Sequence, residues 1–359
     1  MRLLIAGGGT GGHLYPGVAV AEELLARGGH AVHFAGTDRG LEARVLPALG
    51  MPFTSVRAAG IVGTGLRGAV RAAGSLALGG FDALRLVRRF RPHACLGVGG
   101  YASFPVVVVA RLAGVPVAVQ EQNATPGLSN RILSHLARRV YAGDPAAVSQ
   151  LPANKTRVTG NPLRRGLSKE LPYQAPAPAS PLHLLVVGGS QGAASLNRSV
   201  PPGVRGLSCP VEVRHQAGRG NASEVAQRYA SLRGVEVEEY IEDMEAAYRW
   251  AHLVVSRAGA LTVAELAAAG RPAVLVPYPF AAGGHQEANA RAAADRGAAV
   301  CVPDALLDRG GRGVGLAGTL AELLAEPERL PSMAAAAAAS ARRHAARDIV
   351  DDLLSLAGW

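Results

Sequence analysis

Leu3-Leu4-Ile5-Ala6-Gly7-Gly8-Gly9-Thr10-Gly11 decides the fold, because the same device returns near the middle of the chain as Leu184-Leu185-Val186-Val187-Gly188-Gly189-Ser190-Gln191-Gly192. In each, an apolar run too short for a helix feeds a glycine-rich turn, and a helical pattern follows. That is how a strand opens a Rossmann-like domain. Its recurrence predicts an α/β protein of two Rossmann-like domains facing each other across a cleft. Outward from these two points, further apolar runs ending at turns, at residues 31–35, 94–98, 115–119, 211–215, 253–256, 273–276 and 299–302, read as parallel strands with helices filling the gaps. Residues 162–181, carrying Pro172, Pro176 and Pro178, lack apolar periodicity and read as a linker. The expected domains are therefore 1–161 and 182–335, with 336–359 a terminal helix. The alanine-rich stretch from Met333 to Leu356 suits one long helix.

At 359 residues the chain is too long for one ordinary core. Its 49% hydrophobic and 18% charged residues describe a packed protein and exclude a disordered one. The formal charge of +10 rests on arginine, since the lysines are Lys155 and Lys169. An anionic partner fits that balance, as does a general arginine-rich composition. Cys95, Cys209 and Cys301 are far apart and outside metal-ligand spacing, so they read as reduced core residues. Neither an export signal nor a membrane span is expected: glycines interrupt the apolar start, and Arg111 interrupts the apolar region 105–119.

Several turns carry chemistry-bearing residues. Gly7-Gly8-Gly9-Thr10-Gly11-Gly12-His13 brings backbone N–H groups to a helix start, where an anion is welcome, and His13 there has the chemistry of a proton acceptor or of a simple cap. Gly7, Gly9 and Gly12 also satisfy the dinucleotide fingerprint, which makes an NAD-dependent oxidoreductase an alternative. The acid that fingerprint wants is misplaced, Asp38 falling past the second strand. Gly99-Gly100-Tyr101-Ala102-Ser103 and the loop with Ser190 are further glycine turns after strands. In Ala260-Leu261-Thr262-Val263-Ala264-Glu265, Thr262 and Glu265 have capping-box spacing, and Glu265 equally suits vicinal ribose hydroxyls. Gln120-Glu121-Gln122-Asn123 ends a strand on four polar residues, which suits the lining of a cleft; Gln286 and Arg164 offer sugar and phosphate contacts.

These motifs, in this order, together with Gly160-Asn161-Pro162-Leu163-Arg164, Tyr240-Ile241-Glu242-Asp243-Met244 and His285-Gln286, resemble the MurG family of inverting glycosyltransferases of the GT-B class, over residues 7–304. The resemblance implies a UDP-N-acetylglucosamine transferase acting on lipid I, the undecaprenyl-pyrophosphoryl-muramyl-pentapeptide, to form the β-1,4 link of lipid II in peptidoglycan synthesis, hence in cell-wall biogenesis, cell shape and division. It implies that Ile241 meets the uracil through its backbone, Glu265 the ribose, Ser190 and Arg164 the diphosphate, and Gln286 the sugar, with Ala260, Leu261, Thr262, Val263 and Ala264 among the substrate-binding residues. Thr10, Gly11, Gly12 and Asn123 would complete the sugar site, Gly99, Gly100, Tyr101 and Ser103 would form acceptor loops, and His13 would be the base. Gln120 departs from the family, in which many members carry histidine there. No metal and no cofactor are expected, and no nucleic acid. The alternative on the same scaffold is a UDP-sugar epimerase or a transferase with another lipid acceptor. Ile61, Leu66, Val70, Leu76, Leu78, Phe81 and Leu84, interleaved with Arg67, Arg71, Arg85, Arg88, Arg89 and Arg91, predict a peripheral anchor on the anionic cytoplasmic face of the cell membrane, an amphipathic helix on the sheet being the plainer reading.

Overall fold

The computed structural model describes residues 1–58, 65–177, 180–189, 191–311, 313–326 and 328–359, with side chains described outside residues 65–73 and 75. It divides into two compact units, Met1–Arg164 with His344–Trp359, and Arg165–Arg343.

In the first unit the strands are β1 (Arg2–Gly7), β2 (Ala31–Gly36), β3 (Phe53–Ser55), β4 (Ala94–Gly99), β5 (Val117–Glu121), β6 (Arg139–Ala142) and β7 (Thr156–Val158). Between them run α1 (Gly11–Ala26), α2 (Glu42–Ala48), α3 (Gly65–Phe90), α4 (Ser103–Leu112) and α5 (Leu128–Leu136). Among the described residues the sheet is parallel, in the order β3-β2-β1-β4-β5-β6-β7. The order reverses between β1 and β4, and the crevice beyond the strand ends at such a point is where an α/β sheet binds ligands. Leu3, Ile5, Leu96 and Val98 point into one core layer with α1, and Leu4, Cys95, Val117 and Val119 into the other with α3 and α4. This two-sided burial is why these strands read as continuous apolar runs.

The second unit repeats the plan with β8 (Leu182–Val187), β9 (Val211–Gln216), β10 (Val235–Glu238), β11 (Leu253–Ser256), β12 (Ala273–Leu275) and β13 (Ala299–Cys301), in the order β10-β9-β8-β11-β12-β13. Its helices are α6 (Ala194–Arg205), α7 (Ala222–Arg228), α8 (Met244–Trp250), α9 (Ala260–Ala269), α10 (His285–Asp295), α11 (Gly315–Ala325) and α12 (Arg329–Ser340). Here the switch point lies between β8 and β11.

In place of a single helix over 333–356 there are two, α12 and α13 (Ala345–Leu356). Propensity alone carries a helix through these alanines, so the break comes from packing. Ala341 is extended, and the Arg343 guanidinium donates to the Ala268 carbonyl at 3.1 and 3.0 Å, which ends α12 on the second unit. The next helix, α13, returns to the first unit, burying Ile349, Val350 and Leu353 against the core around α1. Asp352 fixes its register, accepting from the Tyr141 hydroxyl at 2.8 Å and from Arg157. The proline-rich segment is likewise held: buried Arg271 donates to the carbonyls of Leu171 and Pro172 at 3.5 and 3.1 Å.

One buried histidine makes the second unit acid-sensitive. His215 on β9 is fully buried between the Tyr229 hydroxyl (2.9 Å) and Asn197 Oδ1 (3.0 Å), and burial lowers its pKa from 6.5 to about 4. Below pH 6.5 the unfolded chain takes up a proton that the folded chain refuses, so stability falls as pH drops toward 4. Denaturant titrations at pH 7 and pH 5 should differ by about 2 kcal/mol from this residue, and His215→Gln should flatten that difference. An unchanged slope in the variant would contradict the assignment.

Candidate active site

Each unit gathers its candidates beyond the carboxyl ends of its strands. In the first, Gly7, Gly8 and Gly9 have φ of 138°, 145° and 91°, turning the chain sharply out of β1. A side chain at Gly7 would strike the Gly99 carbonyl at 2.3 Å, and one at Gly100 the Gly8 carbonyl at 2.5 Å, so the loops after β1 and β4 interlock through bare backbone. Gly9, Thr10 and Gly12 are exposed, leaving the first turn of α1 open. Among the acceptor-loop candidates, Tyr101 is exposed. Ser103 is fully buried, its hydroxyl donating to the Gly100 carbonyl at 2.7 Å; it shapes the loop from beneath.

Glu42, at the start of α2, is a further candidate that the sequence reading missed. Fully buried, its carboxylate accepts from Gly9 N at 2.6 Å, and from the Thr37 backbone N and hydroxyl at 2.8 and 2.9 Å. Side chains at Gly8, Gly36 or Gly40 would collide with it. The N–H that a dinucleotide phosphate would seek on this loop is thus bonded to the protein's own anion, which speaks against the oxidoreductase alternative. The signal that the sequence does carry is the short spacing of Gly36, Thr37 and Gly40 ahead of Glu42.

The four polar residues at 120–123 do not line a cleft as a set. The strand β5 runs on through Gln120 and Glu121, and Gln120, Glu121 and Gln122 are buried. Glu121 accepts from Asn123 N and Nδ2, Gly127 N and Asn130 Nδ2 at 2.9–3.1 Å, which fixes the loop after β5 and leaves Asn123 half-buried at its turn. His13 lies beside this network, its Nδ1 3.1 Å from Gln122 Oε1. Arg164, past β7, places its guanidinium 5.1 Å over the Tyr15 ring of α1.

In the second unit the same interlocking recurs: a side chain at Gly192 would strike the Ala217 carbonyl at 2.1 Å, and one at Gly218 the Gly192 N at 2.2 Å. Ser190 lies outside the described residues. On α9 the N-cap is Gly259, without a side-chain cap, so the capping box of Thr262 and Glu265 does not form. Glu265 instead accepts from the Tyr248 hydroxyl at 3.0 Å, which orients its carboxylate. The half-buried residues 260–264 place their backbone at the first turn of α9. Ile241 N donates to buried Gln216 Oε1 at 3.1 Å, and Gln286 Oε1 accepts from Tyr278 N at 2.9 Å. Arg257, also missed in the sequence, braces these loops: it meets Asp304 at 2.5 Å, the Ser195 hydroxyl at 2.8 Å and the carbonyls of Val276 and Pro277.

Residues 3–142 match the glycosyltransferase family 28 N-terminal domain, and residues 183–352 the family 28 C-terminal domain. The chain belongs to glycosyltransferase family 28. Within this family it is 45% identical, over 99% of both chains, to a Methylococcus capsulatus protein named UDP-N-acetylglucosamine--N-acetylmuramyl-(pentapeptide) pyrophosphoryl-undecaprenol N-acetylglucosamine transferase. A protein of the same name from Stutzerimonas stutzeri is 44% identical, again over 99% of both. Among solved structures, Acinetobacter baumannii MurG superposes with a TM-score of 0.82 at 33% identity over 99% of both chains. The family 28 chain also shares its fold, at 14% identity and a TM-score of 0.64, with a UDP-GlcNAc 2-epimerase from Neisseria meningitidis.

Proposed function

We propose that the chain transfers N-acetylglucosamine from UDP-N-acetylglucosamine to the muramyl sugar of lipid I, inverting the anomeric carbon to give β-1,4-linked lipid II and UDP. The observation that carries this is the full-length identity with transferases named for that donor and acceptor. The acceptor hydroxyl attacks the anomeric carbon as the bond to UDP breaks, and His13 takes the hydroxyl proton. In the second unit Glu265 accepts from the ribose hydroxyls and Gln286 meets the sugar, while Ser190 and Arg164, the latter the last residue of the first unit, serve the diphosphate. Ile241 reaches the uracil by exchanging its bond to Gln216 for one to the base. In the first unit Thr10, Gly11, Gly12 and Asn123 serve the sugar, and residues 99–103 the acceptor. Helix N-termini and hydrogen bonds stabilise the departing UDP.

Product analysis separates transfer from the epimerase reading. Transfer releases UDP from the donor only when a lipid I analogue is present; UDP or an isomerised sugar appearing without acceptor would overturn it.

The same reading places the enzyme on the cytoplasmic face of the membrane. Among the described residues no helix is long and apolar enough to cross a bilayer. The helix α3 buries Ala83, Leu86 and Val87 and leaves Leu78, Phe81, Arg85, Arg88 and Arg89 exposed; Leu112, at the end of α4, is 81% exposed. Of the other residues expected in the anchor, Ile61 lies outside the described residues, as do the side chains of Leu66, Arg67, Val70 and Arg71. Exposed leucine and phenylalanine among arginines suit an anionic lipid surface, each arginine adding about 1 kcal/mol near it. Flotation with anionic liposomes should drop at least tenfold in Arg85→Ser/Arg88→Ser/Arg89→Ser, and equal flotation with neutral vesicles would contradict the proposal.

A further inference from the structure

A chain of side-chain amides runs beneath His13, and its direction is forced at both ends. Asn161 Nδ2 donates to the Gln122 carbonyl at 2.9 Å, so Asn161 Oδ1 is the acceptor for Gln120 Nε2 at 3.0 Å. Gln120 Oε1 then accepts from Gln122 Nε2 at 2.5 Å. Gln122 Nε2 also lies 2.7 Å from the Val98 carbonyl, which can only accept. Turning the Gln122 amide over would set oxygen against the Val98 and Gln120 oxygens in a buried site. Its Oε1 therefore faces His13 Nδ1, and an acceptor oxygen at 3.1 Å requires Nδ1 to carry the proton.

We infer that Gln122 is a positioning residue that holds neutral His13 in the Nδ1–H tautomer, leaving the lone pair on Nε2 as the proton-accepting nitrogen. Among the described residues Nε2 has no hydrogen-bond partner. Gly99 belongs to the same device, since a side chain there would meet His13 Nδ1 at 2.8 Å and push the ring off Gln122. Gln120 serves the same end, because from its buried place in β5 it connects Asn161 to Gln122 and keeps the second amide from turning. The catalytic consequence rests on the reading of His13 as the base.

The test is long-range proton–nitrogen NMR on the full chain labelled at histidine, at a pH where His13 is neutral, with His13→Ala identifying its signals. The wild-type ring should show a protonated, pyrrole-type Nδ1 and a pyridine-type Nε2. Gln122→Met, which keeps length but removes both donor and acceptor, should show a tautomer mixture and a kcat at least about tenfold lower with little change in donor KM. Gln122→Glu places a carboxylate against the ring and should move the acid limb of the kcat profile to higher pH. A pyrrole-type Nε2 in the wild type, needing no variant to fold, would overturn the assignment, as would an unchanged ring in folded Gln122→Met. If the tautomer is as assigned but His13→Ala still transfers sugar at the wild-type rate, the base reading fails and Gln122 loses its catalytic consequence.

Discussion

His13→Ala should lower kcat for sugar transfer by about 10²–10⁴-fold while leaving the KM for UDP-N-acetylglucosamine within a few-fold. The expectation follows from where the ring sits. It occupies the first turn of α1, beside the exposed Gly9, Thr10 and Gly12, and among the described residues it is held through one nitrogen only. As the acceptor oxygen bonds to the anomeric carbon its hydroxyl proton becomes acidic, so a base acting there stabilises the transition state far more than the ground state. That pattern lowers kcat and kcat/KM together. A histidine that merely capped or packed would yield a variant with lower thermal stability and a nearly intact kcat. Steady-state kinetics with both substrates varied, alongside thermal unfolding, tells the two apart.

Glu265→Ala should act on the other parameter, raising the donor KM and the Kd for UDP by about 100-fold or more with a modest change in kcat. Two hydrogen bonds from ribose hydroxyls to an ionised carboxylate contribute about 1.5–3 kcal/mol each. The ribose is remote from the reacting bond and binds equally in ground and transition states, which is the signature of uniform binding. Tyr248→Phe removes the hydroxyl that orients the carboxylate at 3.0 Å and should reproduce a weaker form of the defect, several-fold in KM. UDP affinity by calorimetry checks both variants; an unaltered Kd in Glu265→Ala would return the residue to a purely structural role in α9.

The sequence signals are strongest where burial on both faces writes an unbroken apolar run. That holds for β1, β4, β8 and β11, the strands beside the two switch points, and so the positions of the glycine loops are legible in the sequence. The strands β3, β6, β7 and β10 are not, because they are three or four residues long and mix charge or polarity into the pattern, as in Arg139-Val140-Tyr141-Ala142 and Val235-Glu236-Val237-Glu238. Hydrogen bonding within the sheet, not composition, makes them strands. The two-helix terminus depends on Arg343 and Asp352 finding partners far away in the chain, which no local propensity contains.

The candidate site residues divide along the same line. Glycine turns, His13 and Glu265 announce themselves by following strands. Glu42, Arg257 and the amides of Gln120 and Gln122 act through groups distant in sequence, and polar residues inside β5 read as the end of a strand, although the strand runs through them. Buried polar side chains of this kind are tolerated because each finds partners, and their value to the site is the direction those partners impose.

Whether the chain is the proposed transferase is decided by transfer of labelled N-acetylglucosamine from its UDP donor to a lipid I analogue, with UDP-glucose as the competing donor. The expected result is acceptor-dependent product, a marked preference for the acetamido sugar, and collapse of the signal in both His13→Ala and Glu265→Ala. A folded protein that binds UDP yet forms no product with this acceptor would contradict the proposed function.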